Sequence, residues 1–217
     1  MAASDGRRAA GINSRLKFAC YPLGMSGEYS RPEVASLAEL HTLAEREGWG
    51  VVCDTACRFG TPELEDFHVL WRSKAEYGLP YRSEMTPQLL KPYLRYLTLH
   101  ERVVQSDGSR FYRVRLMGDA IVRIAGAATG DTYDRFLPPR GIRKWNAMND
   151  AMLAHGKPVR VLVRAESFGK AYLVGEFFSG PLRTADGAAD LIASVGRFDV
   201  ARRWDKFVAQ ARACAEA

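Results

Sequence analysis

Long apolar runs are missing from this chain. None reaches the roughly 18 residues that a membrane-spanning helix requires, so no such helix is expected. Cysteine is scarce: Cys20, Cys53, Cys57 and Cys214 supply no disulfide framework for a chain of 217 residues. The start has no charged stretch followed by an apolar run, so a secretory leader is not expected either. Together these absences predict a soluble, cytoplasmic, reduced protein. The catalytic signatures HExxH, GxSxG and the phosphate loop do not occur. Cys53 and Cys57 stand at a loose metal spacing, but no second pair or nearby His completes a tetrahedral site. No metal is expected. The strand arginines have no aromatic stripe interleaved with them, which disfavours nucleic acid as a partner.

What is present is enough for a core. Hydrophobic residues make up 47% of the chain, and the length suits one domain with appendages. The net charge of +6 reads as solvated surface charge.

Punctuation and periodicity divide the chain. Residues 1–29 are rich in Gly, Ser, Ala and Arg without a sustained period and read as a flexible tail. Residues 30–60 form an N-terminal helical extension. Ser30 and Glu33 match a capping box, and a helix to Glu47 carries Val34, Leu37, Ala38 and His41 on one stripe. Trp49, Val51 and Val52 suggest a short extended piece. Residues 61–199 read as one unit. Thr61-Pro62 and Thr86-Pro87 start two helices. Residues 96–104 and 111–117 alternate as strands around the Asp107-Gly108 turn. Asp119 caps a short helix that Gly126 closes. A long helix over 141–154 turns Ile142, Trp145, Met148 and Met152 to one side. Strands over 159–164, 171–179 and 191–198 then make a meander. Residues 200–217 hold a last helix, capped by Asp199, with Trp204, Phe207 and Val208 on its stripe.

The order of two strands, helices and three strands resembles a PAS domain, and more closely a bacterial family of mostly stand-alone PAS proteins. The likeness rests on the helix over 67–72 with Trp71, the linker Gly78-Leu79-Pro80-Tyr81-Arg82-Ser83 and the element Arg115-Leu116-Met117-Gly118. It continues through Gly126, Gly130-Asp131 and Gly156-Lys157-Pro158. The resemblance implies an α+β fold: a five-stranded antiparallel sheet with helices on one face, flanked by N- and C-terminal helices. It implies sensing or protein interaction and supplies no catalytic residue and no fixed cofactor.

On this frame, Tyr112, Leu116, Ile121, Trp145, Met148, Met152 and Leu162 are the candidates for lining a pocket between helix and sheet. They also suit a plain core, since no polar anchor is identifiable among them. Cys57-Arg58-Phe59 invites comparison with flavin photoreceptors, but Cys57 lies upstream of the sheet, which disfavours flavin. His100 and His155 are the candidates for haem, which is also disfavoured. Arg113, Arg115, Arg160 and Arg164 fall opposite the apolar set, where Glu101, Glu166 and Glu176 can pair with them. Val34, Leu37, Trp204, Phe207 and Val208 are expected to form a homodimer or partner surface, because the PAS unit does not need them. The reading is a cytoplasmic sensory or regulatory protein acting by small-ligand sensing, protein contact or both. The alternative is a small enzyme or an anion- or nucleotide-binding protein using the same pocket.

Overall fold

The computed structural model describes residues 34–199, 204–206 and 208–209. The expected tail, the Ser30–Glu33 capping box and Phe207 lie outside these residues. In chain order the elements are helix α1 (Leu37–Glu47), strand β1 (Val51–Asp54), α2 (Pro62–Lys74), α3 (Pro87–Leu90), β2 (Leu97–Val104), β3 (Arg110–Met117), α4 (Asp119–Ala125), α5 (Pro139–His155), β4 (Val159–Ala165), β5 (Lys170–Leu182) and β6 (Leu191–Asp199). The strands form one sheet in the order β1-β4-β5-β6-β2-β3, with every neighbour antiparallel. Two strands, helices and three strands follow one another as the PAS resemblance implies, and the fold is α+β.

The sheet has six strands rather than five. The extra one is β1, from the short piece after Trp49, which pairs with β4 through Val51↔Val163 and Cys53↔Val161. Four residues carry little local signal. Their partner lies more than a hundred positions away, so only tertiary pairing identifies the strand. Helices also cover both faces rather than one. The first face packs Tyr112, Val114, Val159, Val161, Val163, Phe177 and Ile192 under α1, α4 and α5. The second packs Leu97, Leu99, Phe178, Leu182, Leu191 and Val195 under α2 and α3, through Leu64, Phe67, Trp71 and Leu90.

Helix starts differ from expectation at two places. Ser36 caps α1, its side chain accepting from the Glu39 amide, and Val34 precedes the helix. Gly118, not Asp119, is the N-cap of α4. That corner needs glycine: a Cβ at Gly118 would stand 2.2 Å from the Leu94 carbonyl oxygen. The last helix is seen at 204–206 and 208–209. Asp199, its expected cap, ends β6, and the start of the helix lies outside the described residues.

Of the five residues expected on an interaction surface, Val34 is buried and Leu37, Trp204 and Val208 are half-buried, while Phe207 lies outside the described residues. Val34 is 4% exposed, and Leu37 packs on the same core. By lengthening the sheet beyond β4, β1 makes an apolar ledge that α1 covers. Trp204 sits half-buried against Leu162, Val174 and Val52 on the second face. The arginines of that face are accommodated. Arg164 lies 5.0 Å from the Trp204 ring centre. Arg160 is buried, with Nε 2.7 Å from Glu176 and Nη1 3.6 Å from Asp54. Arg113 and Arg115 pair across the strands with Glu101, as expected.

Candidate ligand cavity

Between α5 and the first face lies a cavity of about 40 Å³. Its floor is sheet: Thr98 and His100 from β2, Ser194 and Phe198 from β6, Phe177 and Ser179 from β5, Val161 and Val163 from β4. Its roof is helix and loop, chiefly Trp145, Met148 and Asn149 of α5, Ile121 and Ala125 of α4, and Tyr133.

Three of the expected lining residues, Ile121, Trp145 and Met148, are there. Tyr112 and Met152 are buried on the same side but pack in the core beside it. Leu116 and Leu162 belong to the opposite face. Leu162 sits between Val161 and Val163, and alternation along a strand turns it away. Leu116 is displaced by a bulge. His100 pairs with Val114 and Leu99 with Leu116, so Arg115 is the extra residue. One extra residue exchanges the faces beyond it. Tyr112 and Val114 therefore point to the first face, Leu116 points away, and Met117 takes the cavity position.

The polar groups are what the sequence reading missed. Asn149 Nδ2 donates to Tyr133 Oη at 2.6 Å, and Tyr133 Oη meets His100 Nδ1 at 2.9 Å. All three residues are buried. Burial pulls the His100 imidazole down to about 4, so it is neutral at pH 7. Burial also pushes the Tyr133 phenol up, so it stays protonated. Tyr112 stacks on Tyr133 and donates to Asp150 at 2.6 Å. On the floor, Ser179 and Ser194 hydroxyls meet at 2.8 Å, and Thr98 Oγ1 donates to the Ser194 carbonyl at 3.4 Å. Asn149 sits among apolar neighbours on α5, and Tyr133 lies in a loop beyond the strands. Their convergence on His100 is tertiary, and only the polar residue within the α5 apolar stripe hinted at it.

Phe177 shapes one wall. Its cross-strand partner is Gly196, and a Cβ there would lie 1.9 Å from the ring. The ring lies flat over the glycine and edge-on to Phe198 at 5.2 Å between centres. Any side chain at 196 would lift it from the sheet.

The residues do not fit the cofactors weighed from sequence. Cys57 is remote from the lining; its thiol donates to the Pro158 carbonyl at 3.4 Å, and burial with Asp54 nearby pushes it up to about 12. That disposition does not suit flavin adduct chemistry. His155 ends α5 and does not line the cavity. His100 has one nitrogen engaged by Tyr133, and 40 Å³ is far below the volume of a haem site. Among the described residues, no cluster of three or more His, Cys, Asp or Glu could hold a metal ion. No helix of the described residues is long and apolar enough to cross a membrane.

No protein-family model matches the chain, and no curated protein does. Solved structures do. An RNA-binding light-oxygen-voltage receptor is 19% identical, with a TM-score of 0.37 over 60% of this chain. The match spans 38% of that receptor's length. A light-oxygen-voltage domain from a flavin-analogue study is 13% identical, with a TM-score of 0.39 over 58% of this chain and 93% of that one. The light state of the blue-light photoreceptor Aureochrome1 domain is 15% identical, with a TM-score of 0.34 over 58% and 98%.

Proposed function

We propose that this PAS-like chain is a sensory protein whose cavity under α5 holds a small molecule and whose response leaves through protein contact. The observation that carries this reading is the buried polar set in an otherwise apolar chamber: His100, Tyr133, Asn149, Ser179 and Ser194 around unfilled space. A core built only for stability would fill that space with apolar groups.

The chemistry favours binding over catalysis. Acid–base work in the pocket would call for His beside a carboxylate. His100 meets Tyr133 instead, and no carboxylate is among the lining residues. The route outward is short. Val161 and Val163 line the cavity, while Leu162 between them packs against Trp204 on the other face. A ligand that shifts β4 biases the 204–209 segment only if that segment has two arrangements of different affinity for the ligand-bound state. The receiver is a second copy or a partner protein, in a cytoplasmic setting.

The test is native mass spectrometry of the chain purified from its own host. The expected result is added mass that is lost on denaturation and absent in Met148→Trp, which fills the cavity. The same spectra give the oligomeric state. An unadorned wild type, equal in stability to Met148→Trp, would count against a ligand.

A further inference from the structure

Hydrogen-bond bookkeeping inside the cavity says what it can recognise. Tyr133 Oη accepts from Asn149 and has a single proton to give, and His100 Nδ1 lies 2.9 Å away. The arrangement that satisfies all three groups sends that proton to Nδ1. The neutral imidazole then carries its own proton on Nε2, the edge Tyr133 does not engage. Thr98, Ser194 and Ser179 are direct cross-strand partners, so their hydroxyls form a row over β2, β6 and β5. In the pair of serine hydroxyls one proton makes the bond and the other remains to be given. Trp145, also in the lining, has a buried indole N–H with no partner among the described residues. The cavity therefore offers donors at His100, at the serine pair and at Trp145. No Asp, Glu, Lys or Arg lines it, so nothing compensates a buried charge of either sign.

We infer that the cavity selects a small, uncharged, mainly apolar molecule bearing a carbonyl-type oxygen, which His100 Nε2–H and the serine row hold from the floor. The inference rests on the sensory reading above. Met148, Phe168 and Phe177 surround the apolar body. A cavity of 40 Å³ has room for about three water-sized groups, which points to a short ketone, aldehyde or amide. The same donors would hold any such oxygen, so chain length is set by Phe136, Trp145, Phe168 and Phe198, the half-buried rings of the lining.

Three probes of similar size separate the alternatives: butan-2-one, butanoate and butylammonium. Each is titrated into the full ¹⁵N-labelled chain at neutral pH, with NMR following the Thr98, His100 and Ser194 amides and the Trp145 indole N–H. Saturable shifts are expected with butan-2-one, at least about tenfold stronger than with either ion. Met148→Trp should abolish them, and His100→Phe should weaken binding about fivefold or more. Equal binding of either ion overturns the ligand class and leaves the cavity as a sensor site. So does binding of xenon, as a purely apolar occupant, without binding of butan-2-one. If neither xenon nor any of the three probes moves these signals, the cavity is closed core, and the sensory reading falls with the inference. The probe comparison uses the unmutated chain, so it decides even where His100→Phe fails to fold.

Discussion

His100 couples the cavity to acid. Burial holds its imidazole at about 4 instead of the ordinary 6.5. Below pH 6.5 the unfolded chain takes up a proton that the folded chain refuses until about pH 4. Stability should thus fall as pH drops through that window, by up to about 3 kcal/mol from this residue. Denaturant titrations at pH 7.0 and 4.5 measure the slope, and His100→Gln should flatten it. An unchanged slope would place the acid sensitivity elsewhere. Gly196 is the second telling residue. Gly196→Ala forces the Phe177 ring off the sheet and into the cavity, and should cost about 1–3 kcal/mol. The double change Gly196→Ala with Phe177→Leu should recover part of it. A neutral Gly196→Ala would show that the ring can move aside freely.

Among the elements, α5 was the most legible and β1 the least. Met148 and Trp145 follow the 3.6-residue period of α5, and helical spacing alone puts them on the cavity. Leu116 was misplaced because a bulge leaves no mark in an alternating pattern. The polar set was missed because His100 and Asn149 find Tyr133 only in three dimensions. Trp145 illustrates the consequence. It is half-buried beside open space, so Trp145→Ala should cost about 2 kcal/mol, below the roughly 3–5 of a packed core Trp. The second face behaves differently. Arg160 on β4 joins Glu176 on β5 and Asp54 on β1, and Glu176 also accepts from Thr61 Oγ1 at 2.9 Å and the Gly60 amide at 2.8 Å. Removing Arg160 leaves two carboxylates buried, so Arg160→Met should cost about 3–5 kcal/mol. Pairing it with both Glu176→Leu and Asp54→Asn should restore part of that. A loss under 1 kcal/mol for Arg160→Met alone would mean that water reaches Glu176.

For the whole molecule the order of strands matters more than their number. β6 lies between β5 and β2, with helices over both faces of the sheet. Amides of β5 and β6 should therefore exchange last and together, at the rate of global unfolding. Faster exchange of β6 than of β1 would contradict that placement. The resemblance foresaw the element order, because each turn and helix cap is local. It did not foresee that sheet and helices would absorb Val34 and Leu37, because that depends on β1.

One consequence follows for synthesis. The strand at the middle of the sheet, Leu191–Asp199, is among the last described segments in the chain. Until it leaves the ribosome, β1-β4-β5 and β2-β3 are separate ribbons with the bare rims of β5 and β2 facing water. The nascent chain carries two adhesive edges for as long as translation takes to reach them. A single late strand then closes both at once.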